Sequence, residues 1–311
     1  MQLALKVDVD TLRGTLEGVP ALVQTLQAAA ADATFLFSLG PDHTGRALRR
    51  AFRPGFFSKV SRTSVLEHYG LKTLLYGTLL PGPDIGRRGA AAMRAVRDAG
   101  FEVGIHCFDH TEWQDFVSRR DAGWTRIQFV KAAERFREVF GGEPAVHGAA
   151  GWQMNETALL LEEEFGFRYA SDVRGVAPFV PLIAGRRSRC PQLPTTLPTL
   201  DELIGVDGLG PDRVHEAVLA RTREPRPHHV FTLHAELEGM KLKPVFERLL
   251  AGWRAQGYEL VSMRTLFESL ELGALPAAAV IEGTVPGRSG LLAVQAGPTL
   301  QSRGSTAVGG L

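Results

Sequence analysis

The amino-acid sequence predicts an α/β protein, a distorted (β/α) barrel in a single domain with an inserted segment and a C-terminal tail. Strand-like and helix-like segments alternate for about 270 residues, which is typical of a parallel sheet flanked by helices. Their even spacing favours a closed or nearly closed barrel. Polar clusters follow several of the strands, and barrel enzymes place their chemistry at the carboxyl ends of the strands.

Short apolar runs predict the strands, and apolar residues at helical spacing predict the helices. In the first half, strands are expected at 3–9, 33–38 and 101–105, and helices at 19–31 and 90–99. The clearest helix is 124–140, whose buried face is predicted to hold Ile127, Val130, Ala133, Phe136 and Phe140.

The second half continues the alternation. Strands are expected at 145–147, 169–171, 230–233 and 259–261, and helices at 213–223 and 244–256. Asn155 is predicted to cap a further helix that ends near residue 165. Two segments interrupt the pattern: an insertion at 45–83 and a tail at 272–311 that is rich in small residues and poor in charge. We expect one domain over residues 1–271 and a disordered tail without a catalytic role.

Composition excludes several classes of protein. Apolar residues make up 44% of the 311 residues, enough to fill a core, so global disorder is excluded. The 35 basic residues nearly balance the 34 acidic ones, which argues against a dedicated nucleic-acid-binding protein. Two cysteines, Cys107 and Cys190, cannot form a disulfide scaffold or a thiolate zinc site. There is no long apolar run and no secretory signal pattern, so the expected location is the cytosol or the cytosolic face of a membrane.

Asp8 and Asp10 end the first predicted strand. Residues two apart on a strand point to the same side, so the two carboxylates repel each other unless a cation or a proton lies between them. The alternative is that one acid caps the next loop and the other is solvated.

Histidines follow two other predicted strands. His106 and His110 are four residues apart, so one helical turn would place both rings on one side, a spacing that suits Zn²⁺ or a similar divalent ion. With one carboxylate they would form a facial site with open positions; the alternative is two surface histidines. His234 ends the strand at 230–233, and Glu236 shares its side.

Together these clusters resemble the polysaccharide deacetylase family, also called the NodB-homology or carbohydrate esterase 4 group, over residues 3–270. The sequence V-D-V-D-T at 7–11 stands in place of the family's acid-pair motif T-F-D-D-G, with one residue inserted between the acids. His106 and His110 match H-x-x-x-H, and T-L-H at 232–234 matches the late L-x-H motif.

The resemblance implies a NodB-like barrel and a metal-dependent amide hydrolase. Asp8 corresponds to the general base, and His234 corresponds to the general acid for the leaving amine. Asp10, His106 and His110 correspond to the ligands of one divalent metal ion, which residue type alone leaves open among Zn²⁺, Co²⁺ and Mn²⁺.

Two further roles follow from the resemblance. The family's fourth motif supplies an aspartate that orients the catalytic histidine, and Asp172 is its expected counterpart here. The third motif normally offers an arginine that pairs with the base, but residues 149–152 read A-A-G-W. Arg174 is therefore predicted to hold Asp8 instead.

Several rare strings narrow the resemblance to one subgroup, the deformylases acting on undecaprenyl-phosphate-linked 4-deoxy-4-formamido-L-arabinose in lipid A modification and polymyxin resistance. They lie at 8–15, 37–42, 149–152, 171–175, 193–199 and 234–239. The implied reaction removes an N-formyl group and releases formate. The alternatives are a deacetylase of another N-acylated sugar and a non-catalytic lipid-carrier binding protein.

Other residues, and Arg174 as well, are candidates for substrate binding. Trp152 is predicted to stack on the sugar or, alternatively, to pack in the core. Glu236 is predicted to bind the product ammonium or, alternatively, to be an ordinary loop acid.

The insertion predicts contact with a membrane, because basic and aromatic residues alternate in it without an acid over 46–62. We name this segment the membrane lip; its predicted members are Arg46, Arg49, Arg50, Arg53, Phe56 and Phe57. It predicts an anionic membrane surface as a partner and a peripheral enzyme on the cytoplasmic face of the inner membrane. The alternatives are an amphipathic loop packed on the barrel and, least favoured, a nucleic-acid patch.

Overall fold

The computed structural model describes residues 1–51, 72–224, 226 and 228–297, with the side chains of 48–51 left out. Twelve strands are formed within these residues. They are β1 (Gln2–Val9), β2 (Thr34–Ser38), β3 (Glu102–Cys107), β4 (Val146–His147), β5 (Tyr169–Ala170), β6 (Val180–Ile183), β7 (Arg186–Arg187), β8 (His228–His234), β9 (Glu259–Val261), β10 (Ala277–Ala278), β11 (Val280–Gly283) and β12 (Leu292–Gln295).

The main sheet is parallel throughout, in the order β5-β4-β3-β2-β1-β8, and β9 also pairs with β1. The strands form a half-barrel flanked by helices, so the predicted NodB-like distorted barrel is confirmed. Because all the strands run in one direction, their carboxyl ends meet at one edge. The register places Asp8 on β1 directly beside His234 on β8.

β1 pairs with three strands, β2, β8 and β9, and is buried on both faces. Leu3, Leu5, Val7 and Val9 pack into the large core that the helices cover. On the alternate face of the strand, Ala4 packs in a second apolar cluster with Leu36, Val146, Val230 and Val261. Lys6 and Asp8 continue that alternate face, so β1 turns from apolar to charged along the barrel interior toward its carboxyl end.

Within the described residues, the α-helices include counterparts of all six that the sequence predicts and four that it does not. They are Val19–Ala28, Thr44–Ala51, Ile85–Asp98, His110–Phe116, Ala122–Phe140, Glu156–Glu164, Leu200–Leu203, Val214–Arg221, Lys243–Ala255 and Met263–Glu268. A π-helical turn covers Gly14–Gly18, and 3-10 turns cover Val117–Arg119, Ala150–Trp152, Val206–Gly208 and Leu272–Ala274. Asn155 caps the helix Glu156–Glu164 as predicted, because its side chain accepts a hydrogen bond from the Ala158 N–H at 2.9 Å.

The predicted buried face of helix Ala122–Phe140 is partly wrong. Ile127 is 51% exposed and Val130 is 37% exposed. The buried stripe is instead formed by Phe129, Ala132, Ala133, Phe136, Val139 and Phe140. Both sets have helical spacing, so periodicity alone could not choose the face that packs on the sheet.

The tail prediction is wrong for residues 272–297. Strand β10 pairs in parallel with β6, and β11 and β12 form an antiparallel hairpin. The backbone of Arg174 bonds to β12 in both directions, with Arg174 N–H to Ala293 O at 3.0 Å and Gln295 N–H to Arg174 O at 2.8 Å. The domain therefore extends to at least residue 297, and residues 298–311 lie outside the described residues.

The insertion is described only at its two ends. Arg46 donates hydrogen bonds to Gly77 O at 3.1 Å and to Glu112 at 2.9 Å, so this member of the membrane lip is packed against the barrel. Arg53, Phe56 and Phe57 lie outside the described residues, as do the side chains of Arg49 and Arg50. None of the described helices is both long enough and apolar enough to cross a bilayer.

Candidate active site

The three predicted metal ligands come together at the carboxyl edge of the sheet. Asp10 follows β1, His106 lies near the end of β3, and His110 begins the helix His110–Phe116. Asp10 Oδ1 is 3.3 Å from His106 Nε2 and 3.4 Å from His110 Nε2. The spacing suggested that the two histidines share one helical turn, but they do not, because His106 lies on β3 and His110 begins a helix. The chain bends between them and brings the ring centroids to 5.3 Å.

Neighbouring groups aim the two imidazoles at Asp10. His106 Nδ1 lies 2.6 Å from the carbonyl oxygen of Gly148. Donation there leaves the lone pair of Nε2 facing Asp10, the usual way in which a metal-binding histidine is oriented. Asp109 caps the helix that begins at His110 by accepting the Glu112 N–H at 3.1 Å, and its other oxygen is 2.5 Å from His43 Nδ1. Asp109 therefore positions the helix end that carries His110.

This group of three residues fits a divalent metal ion. Asp10 Oδ1 is buried and accepts no hydrogen bond from the described residues. Burial alone would raise the pKa of Asp10, but the His110 and His106 rings lower it well below its usual range, so the carboxylate stays ionised. One carboxylate oxygen and two imidazole nitrogens suit Zn²⁺, Co²⁺ or Mn²⁺. The His110 side chain is 21% exposed, so the group opens toward solvent.

Glu236 lies beside Asp10 but holds the backbone there. Its Oε1 accepts hydrogen bonds from Asp10 N–H at 3.0 Å, Thr11 N–H at 2.8 Å and Thr11 Oγ1 at 2.9 Å. Burial and the charge of Asp10 raise the pKa of Glu236 to about 8. A Cβ at Gly14 would approach Oε1 to 2.0 Å, so glycine is required there. With 1% exposure, Glu236 fixes the loop of Asp10 and is not open to a product ammonium.

Asp8 faces the barrel interior between the histidines. Its Oδ1 lies 3.8 Å from His106 Nδ1 and accepts no hydrogen bond from the described residues. Its Oδ2 lies 3.4 Å from the ammonium nitrogen of Lys6, a residue that the sequence analysis did not single out. The prediction that Arg174 holds Asp8 is wrong: the Arg174 guanidinium pairs with Glu202 and donates to Leu197 O at 3.0 Å.

Asp172 serves a different histidine from the one predicted. Its Oδ1 is 2.9 Å from His147 Nδ1, which is also 3.0 Å from Glu162 Oε1. All three side chains are buried, and Gln192 Nε2 donates to the remaining oxygens of Asp172 and Glu162. The expected contact between Asp172 and His234 is therefore corrected to an ion pair with His147. These three residues also lie close enough to hold a metal, but their polar atoms already satisfy one another.

His234 lies at the end of β8, where the general acid was expected. Its backbone N–H donates to Glu238 Oε2 at 2.8 Å, and its ring meets Trp152 edge-on with centroids 6.5 Å apart. Burial lowers the pKa of His234, but surrounding carboxylates outweigh it and raise the pKa above the usual value. These are Asp10, Asp201, Glu238 and Asp8. The protonated ring is thus favoured.

Trp152 is part of the packed wall behind His234 and is only 2% exposed. It packs with Leu292 and Val294 of the C-terminal hairpin, and its indole N–H donates to Thr195 Oγ1 at 3.1 Å. The core-packing alternative therefore holds for Trp152, since neither ring face is open to a sugar.

Three cations surround the indole of Trp152. Lys6, Arg174 and Arg288 lie 5.5, 4.9 and 4.8 Å from the ring centroid. Arg288 reaches the site from the predicted tail and pairs with Asp201 at 3.2 Å and Glu202 at 2.7 Å. The sequence analysis missed Arg288 because it lies in the segment expected to be a disordered tail. It missed Asp201 and Lys6 because neither belongs to a recognised motif.

The arrangement combines the parts of a hydrolytic site. A carboxylate, Asp8, and a histidine that favours its protonated form, His234, are adjacent across β1 and β8. Both border the group formed by Asp10, His106 and His110, which is open on the His110 side. A proton acceptor and a proton donor flanking a metal-binding group suit the hydrolysis of an amide.

Comparison with known proteins gives curated relatives that match nearly the whole chain. A scan against models of known protein families gives no match. The chain is 34% identical over 295 residues, 95% of each sequence, to a protein of Shewanella sediminis named probable 4-deoxy-4-formamido-L-arabinose-phosphoundecaprenol deformylase. A protein of Wigglesworthia glossinidia brevipalpis with the same name is 30% identical and covers 91% of this chain and 98% of its own length.

Solved structures support the fold. A Mycobacterium smegmatis structure assigned to the polysaccharide deacetylases superposes with a TM-score of 0.63 at 19% identity, over 91% of this chain and 94% of its own. A probable polysaccharide deacetylase from Pseudomonas aeruginosa PAO1 gives 0.56 at 16% identity, over 86% and 89%. The fold, the extent of the sequence match and the amide chemistry of these relatives lead to one assignment: the chain is an amide hydrolase that belongs to the family of 4-deoxy-4-formamido-L-arabinose-phosphoundecaprenol deformylases.

Proposed function

We propose that this enzyme removes the N-formyl group from undecaprenyl-phosphate-linked 4-deoxy-4-formamido-L-arabinose, giving formate and the 4-amino sugar lipid. The observation that carries the proposal is the meeting of Asp8, His234 and the group Asp10, His106 and His110 at one edge of the sheet. The curated relatives carry this substrate in their names and match nearly the whole chain.

Asp10, His106 and His110 are the residues that would hold one divalent metal ion. A cation bound there supplies Lewis-acid polarisation of the amide carbonyl and a more acidic water. The protein contributes the orientation of the ligands. Gly148 O fixes the tautomer of His106, and Glu236 fixes the backbone of Asp10.

Proton transfer is assigned to Asp8 and His234. Water adds to the formyl carbon as Asp8 takes its proton, and the C–N bond breaks as His234 donates a proton to the departing nitrogen. Oδ1 of Asp8 is suited to accept the proton, because it is the oxygen not engaged by Lys6. The carboxylates around His234 raise its pKa above the usual value, which favours the protonated form of the donor.

The membrane lip carries the proposed location, the cytoplasmic face of the inner membrane. A polyprenyl-linked substrate resides in a bilayer, and basic residues beside aromatic ones favour the interface of an anionic leaflet. At the described end of the insertion, Leu79 is 81% exposed. Liposome flotation tests this: an Arg49/Arg50/Arg53 triple alanine variant should float less on anionic vesicles than the parent protein. Equal flotation would remove the membrane lip from the proposal.

The reaction is tested by mass spectrometry of the formamido-sugar lipid after incubation with the enzyme, with and without a chelator. We expect loss of the formyl mass and release of formate, both abolished by the chelator and by Asp8→Asn or His234→Ala. Acetate release from an N-acetyl sugar with no formate release would instead indicate a deacetylase. Unchanged function of both variants in cells would indicate a lipid-carrier binding protein.

A further inference from the structure

A buried lysine occupies the position from which the catalytic base is held. Lys6 lies two residues before Asp8 on β1, so both side chains extend from the same face of the strand. Its neighbours across the sheet are Thr34 on β2 and Thr232 on β8. The side chain is 0% exposed, which is rare for lysine and requires that its charge be paired.

Three groups surround the ammonium of Lys6. Nζ donates to Ser171 O at 2.9 Å, lies 3.4 Å from Asp8 Oδ2 and lies 5.5 Å from the Trp152 centroid. Among the described residues, Asp8 is the carboxylate that pairs with this cation. Arg174, the nearby arginine expected to do so, is already engaged by Glu202.

Gly148 leaves room in the barrel interior for the aliphatic part of the Lys6 side chain. A Cβ at Gly148 would lie 3.2 Å from Lys6 Cε and 2.3 Å from Leu36 Cδ1. The same glycine offers its carbonyl to His106. One backbone segment thus borders both the lysine and a metal ligand, so the two are placed relative to each other by fixed structure.

We propose that Lys6 is the positioning residue of the general base. Its ammonium holds Oδ2 of Asp8, which leaves Oδ1 as the oxygen presented to the attacking water. Lys6 thereby takes the place of the arginine that residues 149–152 lack. This inference rests on the proposed function, because it assigns to Asp8 the role of base.

The test is a double-mutant cycle on kcat with Lys6→Met, Asp8→Asn and the double variant. Methionine keeps the length of the stem and removes the charge. We expect Lys6→Met to lower kcat roughly 10²-fold, within the range of general acid–base effects, with KM changed less than about threefold. Lys6→Arg should restore kcat to within about tenfold of the parent. Because Lys6 acts through Asp8, the double variant should be no slower than Asp8→Asn alone.

Lys131→Met is the matched control, since Lys131 is exposed and should leave kcat unchanged. A parental kcat for Lys6→Met, or effects that multiply in the double variant, would overturn the proposal. If Lys6→Met fails to fold because Asp8 is left unpaired, the double variant should fold and keep the activity of Asp8→Asn; a double variant slower than that would also overturn it.

Failure of the proposed function has a different signature. A parent that releases acetate instead of formate refutes the deformylase assignment, and the same cycle is then run on the acetyl substrate. If the parent is inactive on both, the cycle is run on the free energy of unfolding. Coupling between Lys6 and Asp8 in that cycle supports the held carboxylate, and its absence overturns it.

Discussion

His147 Nδ1 and Asp172 Oδ1 lie 2.9 Å apart in a fully buried ion pair beside the loop that carries Gly148. Burial lowers the pKa of His147, but Asp172 and Glu162 outweigh this effect and raise it to about 9. Burial raises the pKa of Asp172, but the charge of His147 outweighs burial and lowers that pKa to about 2. The pair supports the segment 147–149, since Asp172 also accepts the Ala149 N–H at 2.7 Å.

This pair predicts that stability falls as pH rises from about 6.5 to 9. Over that window the folded protein keeps the proton on His147 while the unfolded chain releases it, so the free energy of unfolding decreases with pH. One proton corresponds to about 1.4 kcal/mol for each pH unit. The contribution of Asp172 is present above about pH 4 and is lost as pH falls through about 2.

Urea unfolding of the parent and of His147→Gln at pH 6.5 and 8.5 measures this dependence. In the variant, the free energy of unfolding should fall less between the two pH values, because the contribution of the His147 proton is lost. His215→Gln, on the helix Val214–Arg221, should keep the parental slope. An equal slope in parent and His147→Gln would show that His147 does not carry the proton.

The proposed metal ligands predict a loss of metal affinity when they are replaced. Asp10→Asn and His110→Gln each remove one of three ligands, so the affinity for Zn²⁺ or Co²⁺ should fall by at least about 10²-fold. Isothermal titration of the apoprotein measures this change. His215→Gln is again the control, and parental affinity in both ligand variants would contradict the assignment of this group.

Asp201 predicts a shift in the pH dependence of kcat. His234 must be protonated to donate, so the rate falls as pH rises through its pKa. Asp201 is among the carboxylates that raise this pKa, so Asp201→Asn should move the alkaline limb of the profile to lower pH. The exposed Asp212→Asn is the control and should leave the alkaline limb in place. An unmoved limb in Asp201→Asn would contradict the prediction and would fit Asp172 as the partner of His234.

The C-terminal hairpin predicts a large cost for one of two similar glycine substitutions. Gly287 and Gly290 have φ of +84° and +80°, but only at Gly287 would a Cβ meet a neighbour, Glu202 O at 2.4 Å. Both alanine variants bear the left-handed strain of about 1–2 kcal/mol. Gly287→Ala should cost at least about 1 kcal/mol more, measured by urea unfolding, and should lower kcat by displacing Arg288. Equal costs would argue against tight docking of the hairpin.

Motif spacing predicted the residues at the edge of the sheet because parallel strands bring their carboxyl ends together. Asp10, His106 and His110 meet as expected, although the two histidines lie on different elements. His106 is on β3, and His110 begins the helix that follows. The partners of the proposed catalytic residues were harder to predict. Lys6 belongs to no motif, and its proposed role depends on the burial of β1, which encloses the polar face of the strand. Arg174 and Asp172 lie close in sequence to the expected motifs, but they pair with other side chains. Arg174 pairs with Glu202, and Asp172 pairs with His147.

The amino-acid sequence by itself determined the alternation of strands and helices, the family, and which titratable residues end β1, β3 and β8. These features follow from local periodicity and from residue types at fixed spacing. Only the tertiary structure decided which charge pairs with which, that Trp152 is enclosed, and that residues 272–297 complete the wall of the site. Ion pairing depends on distances between segments far apart in the chain, and a short apolar strand such as β12 is ordered only when a partner such as Trp152 buries it.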